Sequence, residues 1–118
     1  VDDVESMRSV IKASLNSIGA EDVVLAINGF DAIKKLEKHS IDMVISDWDM
    51  PKVSGLQFLQ YVRDSEKHKQ MPFLLLTASK DKERVIKAID AGVSDYLTKP
   101  FTPAILATKL NKLLKVKS

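Results

Sequence analysis

A chain of 118 residues with 45% hydrophobic content has room for one compact core, so residues 1–118 are expected to form a single domain. The absence of cysteine excludes a disulfide framework, a thiol nucleophile and a cysteine-based zinc site, and suits a cytoplasmic protein. A net charge of +2 with interspersed signs gives no case for direct nucleic-acid binding, and no apolar run nears the roughly 20 residues of a membrane span, so a soluble protein without membrane insertion is expected.

Along the chain, helical and strand-type segments take turns. Val4, Met7, Ile11, Leu15 and Ile18 recur at helical spacing and stop at Gly19, a C-terminal cap. "VVLAI" (23–27) reads as a strand, and Phe30, Ile33 and Leu36 mark a second helix whose other faces carry Lys34, Lys35 and Lys38. "IDMVIS" (41–46) is the next strand, followed by the "DWDMPKVSG" loop and a third helix through Leu56, Leu59 and Val62. "FLLLT" (73–77) is the most continuous apolar strand, and Val85, Ile86 and Ile89 define a fourth helix. A short strand, "DYLT" (95–98), leads to a fifth helix with Thr102 as N-cap, Pro103 at its first position, and Ile105, Leu106, Leu110, Leu113 and Leu114 inward.

Strict alternation with short joints implies an α/β fold, a doubly wound parallel sheet with right-handed crossovers and helices on both faces. The chain opens on "VDD" directly before a helix, so a further hydrophobic strand is expected upstream of Val1, with Val1 as its last residue. In such sheets the ligand site lies beyond the carboxyl ends of the strands. Asp2, Asp3, Asp47, Thr77 and Lys99 all fall at strand ends and should meet at that edge. Carboxylates gathered there repel one another unless they take up protons or a cation. Oxygen ligands of this kind suit Mg²⁺. Lys99 adds a cation and Thr77 a hydroxyl, which outlines a phosphoryl-transfer site with a carboxylate nucleophile. Each piece also has a plainer reading: the acidic pair as a helix cap, "DWD" as loop chemistry, Thr77 as β propensity, Trp48 as packing. Only their conjunction at one edge points to chemistry.

The motifs "VDD", "SDWDMP", "SGL", "LLLTA" and "AGVSDYLTKPF" together resemble the receiver domains of bacterial two-component response regulators, CheY-like ones above all, over the whole chain. The resemblance implies a five-stranded flavodoxin-like sheet of order 2-1-3-4-5. It implies that Asp47 is the phosphoacceptor for a histidine kinase in a phosphorelay, a signalling domain that catalyses its own phosphorylation and dephosphorylation and is no conventional enzyme. Mg²⁺ would be ligated by Asp3 directly, by Asp2 through water, by Asp47, and by the backbone carbonyl of Asp49. Thr77 would bond a phosphoryl oxygen and Lys99 would pair with phosphate and carboxylates, helped by a cis Lys99–Pro100 peptide. Tyr96 matches the switch position, and Ala88, Tyr96 and Lys109 would belong to an output surface on the fourth helix, last strand and fifth helix, read by an output protein or attached output domain. Chemotaxis is the process that the CheY likeness implies. Close relatives carry Asn where this chain has Asp49; that departure, with Ser79 beyond Thr77, bears on metal affinity and phosphoryl lifetime.

"hhhhDxD" followed by a strand-end Thr and a Lys also resembles haloacid-dehalogenase-like phosphatases, in which Asp47 would be nucleophile and Asp49 acid/base. That family's nucleophile follows its first core strand, unlike Asp47, and no acidic metal motif follows Lys99. An unphosphorylated adaptor would have no need of the full acidic, Thr and Lys set. A flavodoxin-like cofactor carrier would need a phosphate loop that is absent from the sequence.

Overall fold

The computed structural model describes residues 1–19, 23–50, 53–78, 81–99 and 101–117, with side chains as far as Leu113 in the last helix. In chain order the elements are α1 (Glu5–Ser17), α2 (Gly29–Lys38), β1 (Val44–Asp47), α3 (Gly55–Asp64), β2 (Phe73–Thr77), α4 (Lys82–Asp90), β3 (Asp95–Thr98) and α5 (Pro103–Lys117). The strands pair in parallel in the order β1-β2-β3, with Asp47 opposite Leu76 and Thr77 opposite Thr98.

Both faces of this sheet are covered, which is why its strands read as continuous apolar runs. Side chains alternate across the sheet: Val44, Phe73 and Leu75 pack with Leu36, Phe58, Leu59 and Ala88 from α2, α3 and α4. Ile45, Leu74, Leu76 and Leu97 pack with Ile11, Leu106 and Leu110 from α1 and α5. The helices begin where side chains cap them. Asn28 accepts from the Asp31 N–H, Ser54 and Gln57 form a capping box, Asp81 accepts from the Glu83 N–H, and Thr102 from the Ile105 N–H as expected. Gly19 takes a left-handed φ of +92° just beyond α1, the conformation that suits glycine after a helix.

Several expectations need correction. "VVLAI" forms no strand in the described residues; its Ala26 carbonyl accepts one bond, from the Asp2 N–H. Val1 meanwhile bonds β1 on both sides, donating to the Ile45 carbonyl and accepting from the Asp47 N–H. Val1 and Asp2 therefore stand between β1 and residues 23–27, the place of the first strand in the 2-1-3-4-5 order. The strand expected from Ile41 begins at Val44. On α4 the apolar residues that announce the helix face outward, Ile86 at 56% and Ile89 at 61% exposure, because the small Ala88 is the one packed against the sheet. Ile105, expected inward, is likewise exposed. Pro100, and with it the expected cis peptide, and Ser79 lie outside the described residues, as does the side chain of Leu114.

At the opposite end of the sheet from the polar cluster, one side chain fastens two turns. Arg63, near the end of α3, donates from Nε to the Gly92 carbonyl at 2.7 Å and from Nη1 to the carbonyls of Met71 at 2.6 Å and Lys69 at 3.1 Å. Burial lowers its pKa from the usual arginine value. Arg63→Met keeps the aliphatic stem but leaves these carbonyls without their donor. It should cost about 2 kcal/mol, as charged hydrogen bonds do, seen as a lower urea midpoint at an unchanged slope.

Candidate functional site

Four chain segments come together at the carboxyl edge of the sheet because the parallel register brings them level. The Asp47 N–H donates to Val1, the Trp48 N–H to Leu76, and the Lys99 N–H to Thr77. The side chains that follow therefore converge. Lys99 Nζ lies 3.1 Å from Asp47 Oδ1 and 3.3 Å from Asp2 Oδ2. Asp2 is fully buried, Asp47 is buried at the end of β1, and Asp3 is exposed beside them. Carboxylate oxygens of Asp2, Asp3 and Asp47 lie within 4.8 Å of one another.

The plain capping reading of the acidic pair accounts for only part of this. Asp2 Oδ1 does accept from the Val4 N–H at 2.9 Å, but α1 has Val4 at its N-cap and no side-chain cap. The second oxygen of Asp2 goes to Lys99 instead. Electrostatics fit a site under charge strain. Burial raises the pKa of Asp47, the Lys99 hydrogen bond and charge oppose the rise, and the charges of Asp2 and Asp49 add to it. Burial lowers that of Lys99, but contact with Asp47 and Asp2 more than compensates and holds the ammonium above its usual range. Clustered hard oxygen donors of this kind fit Mg²⁺, with Asp2, Asp3 and Asp47 as the residues able to hold it.

Asp49 is placed differently. Its exposed carboxylate takes no part in the cluster and is gripped by Arg84 of α4, Nη1 to Oδ2 at 3.1 Å and Nη2 to Oδ1 at 3.0 Å. Arg84 Nη1 also reaches Thr77 Oγ1 at 3.3 Å, and its guanidinium sits 5.0 Å from the centre of the Trp48 ring. Trp48 is itself buried in the core, as the packing reading held.

Two residues of the site were not singled out from sequence. Arg84 is one; an arginine in the first turn of the helix after the Thr77 strand was the available signal. Gly55 is the other, present in the "SGL" motif without a role. A Cβ there would stand 2.1 Å from the Asp47 carbonyl oxygen. Of the residues expected on the output face, Tyr96 is half-buried against the core and Lys109 pairs with Asp95 at 3.1 Å. Ala88 is a correction: at 1% exposure it lies under the helix rather than on a surface, and Ile86 and Ile89 are the large apolar residues that α4 shows to solvent.

Residues 1–111 match the family model of the response regulator receiver domain. The chain belongs to that family. This receiver is 40% identical over 115 residues to the chemotaxis protein CheY1 of Helicobacter pylori, covering 97% of this chain and 93% of that protein. Its fold superposes on the chemotaxis response regulator CheY4 of Vibrio cholerae with a TM-score of 0.88 at 33% identity, covering 95% of this chain and 92% of that one. A second neighbour is the receiver domain of the sensor histidine kinase PA1611 of Pseudomonas aeruginosa, which holds a magnesium ion in its active-site cleft. Its TM-score is 0.85 at 30% identity, over 98% of this chain and 93% of that one. The receiver is thus a CheY-like signalling domain with the flavodoxin-like fold, and the haloacid-dehalogenase-like phosphatase alternative is left without support. No helix among the described residues is long and apolar enough to cross a membrane.

Proposed function

We propose that Asp47 accepts a phosphoryl group from a histidine kinase, with Mg²⁺ held by Asp2, Asp3, Asp47 and the Asp49 backbone carbonyl, and that the chain speeds both this transfer and the later hydrolysis. The observation that carries the reading is the position of Asp47: buried, at a strand end, 3.1 Å from Lys99 and clustered with Asp2 and Asp3. Mg²⁺, when bound, would offset the charge of the transferring group. Asp47 attacks phosphorus through a carboxylate oxygen. The bond to the donor nitrogen breaks, the imidazole keeps the electron pair and takes a proton from solvent, and an acyl phosphate remains. Lys99, already bridging Asp47 and Asp2, is placed to pair with the new phosphate.

Thr77 offers its hydroxyl from the neighbouring strand end. If it turns toward the phosphate, it leaves space that Tyr96, two residues back along β3 from Thr98, can enter with its ring. Tyr96 and Lys109, with the exposed Ile86 and Ile89, then form the surface read by an output protein or domain. The likeness to CheY proteins favours chemotaxis, in the cytoplasm.

Incubated with Mg²⁺ and a small acyl-phosphate donor, the chain should gain one hydroxylamine-labile phosphate, mapped to Asp47 by mass spectrometry and lost in EDTA. Labelling elsewhere, or none, would remove Asp47 from the role.

A further inference from the structure

Among the described residues, Arg84 is a cation at the site mouth that the phosphoacceptor reading leaves unused. We propose that it is a positioning residue of the acceptor site: from α4 it holds the Asp49 carboxylate out of the metal cluster and ties that helix to Thr77. The proposal rests on the acceptor reading and adds a control to it.

The geometry is more specific than an ordinary surface ion pair. Both guanidinium Nη atoms engage both Asp49 oxygens, at 3.0 and 3.1 Å, the two-pronged match that arginine makes and lysine does not. The guanidinium rests over the Trp48 ring, and that ring is fixed. Trp48 is 8% exposed, and its backbone is bonded on one side to Leu76 and on the other to Gly55. The same Nη1 touches the Thr77 hydroxyl at 3.3 Å. One side chain thus links the loop after β1, the end of β2 and the start of α4.

Asp49 follows Asp47 by two residues on a short loop, so its carboxylate has a second place to go. Released, it would add its charge to Asp2, Asp3 and Asp47, which already lie within 4.8 Å of one another. A divalent cation would then bind more tightly, and an anionic phosphodonor would meet more repulsion. With the guanidinium in place Asp49 is neutralised and turned outward, leaving its backbone carbonyl as the group offered to the metal. The arginine thereby answers the extra carboxylate that this chain carries next to its acceptor.

The test is a double-substitution cycle read by calorimetric Mg²⁺ titration, which does not depend on Trp48 emission. Arg84→Gln should tighten Mg²⁺ binding by about fivefold, the scale of one partly screened charge. Arg84→Lys, which keeps the charge but loses the fork, should fall between. Asp49→Asn alone should move the affinity by less than about twofold, whereas Asp49→Asn added to Arg84→Gln should cancel the gain, a coupling that only interacting residues show. An unchanged affinity in Arg84→Gln, or a gain that persists without Asp49, would overturn the role of Arg84 while the acceptor reading stood. Failure of the wild-type chain to bind Mg²⁺ at all would overturn both.

Discussion

Asp47→Asn should take up no phosphate and, in EDTA near neutral pH, melt at a higher temperature than the wild-type chain. The first effect follows from removing the nucleophile, since an amide oxygen cannot form the acyl phosphate. The second follows from burial. Asp47 is 5% exposed, and burial is the largest influence on its carboxyl, raising its pKa against the partial opposition of Lys99. A group that binds its proton more tightly in the folded chain contributes its full stability below the unfolded value of about 3.9. That contribution is lost as pH rises through the higher folded value. At neutral pH the ionised carboxylate is thus a net cost without metal, and the Asn side chain relieves it while Lys99 keeps its contact with Asp2. The gain should be roughly 1 kcal/mol, the lower end of what neutralising a buried charge gives. It should grow as the pH of the melt is raised through the folded value of Asp47 and vanish in acid, where the wild-type group is protonated. A lower melting temperature for the Asn variant in EDTA would mean that the pairing with Lys99 outweighs burial.

The parts of this fold that could be read in advance are those in which one physical constraint acts alone. "FLLLT" became a strand at the predicted boundaries because a segment between covered layers must be apolar on both faces and must end where the cover ends, and "DYLT", with only Leu97 buried, follows by pairing level with it. Asp47, Thr77 and Lys99 converge for the same reason: parallel strands of similar length finish level, so residues that terminate them meet. "VVLAI" has the composition of a strand, and among the described residues its backbone contact toward the sheet is the Asp2 N–H donating to the Ala26 carbonyl. The fourth helix follows the apolar period of Val85, Ile86 and Ile89, but the residue it buries is Ala88, while Ile86 and Ile89 are exposed.

Arg84 and Gly55 escaped the sequence for a different reason. Their roles depend on where a helix starts relative to a neighbouring strand end, to within an ångström, and no periodicity encodes that distance. Arg84 could be ranked only as an exposed charge on a helix until its fork was seen on Asp49. Gly55 could be ranked only as a helix-start residue until the backbone of Asp47 was seen against it.

That contact leads to the other large expected effect. Gly55→Ala should leave a folded chain that is labelled about a hundredfold more slowly than the wild type. A Cβ at this position would lie 2.1 Å from the Asp47 carbonyl oxygen, 2.8 Å from Trp48 Cα and 2.9 Å from the Asp47 carbonyl carbon. All three neighbours are backbone atoms, so no side chain can swing aside. Either the start of α3 moves outward, or the end of β1 moves inward and takes the acceptor carboxylate with it. Overpacking of this kind costs about 1–3 kcal/mol, which should show as a lower denaturation midpoint. A displacement of about 1 Å at a reacting group can cost on the order of 10² in rate. Ser54→Ala is the control, because it removes the cap of the same helix at a cost of about 1 kcal/mol without adding an atom next to Asp47. If stability alone governed labelling, the two variants would slow it in proportion to their midpoints. If the glycine is there to let α3 approach the acceptor, Ser54→Ala should label at close to the wild-type rate and Gly55→Ala should not. Wild-type labelling of Gly55→Ala would show instead that the loop between Asp47 and α3 can yield without disturbing the acceptor.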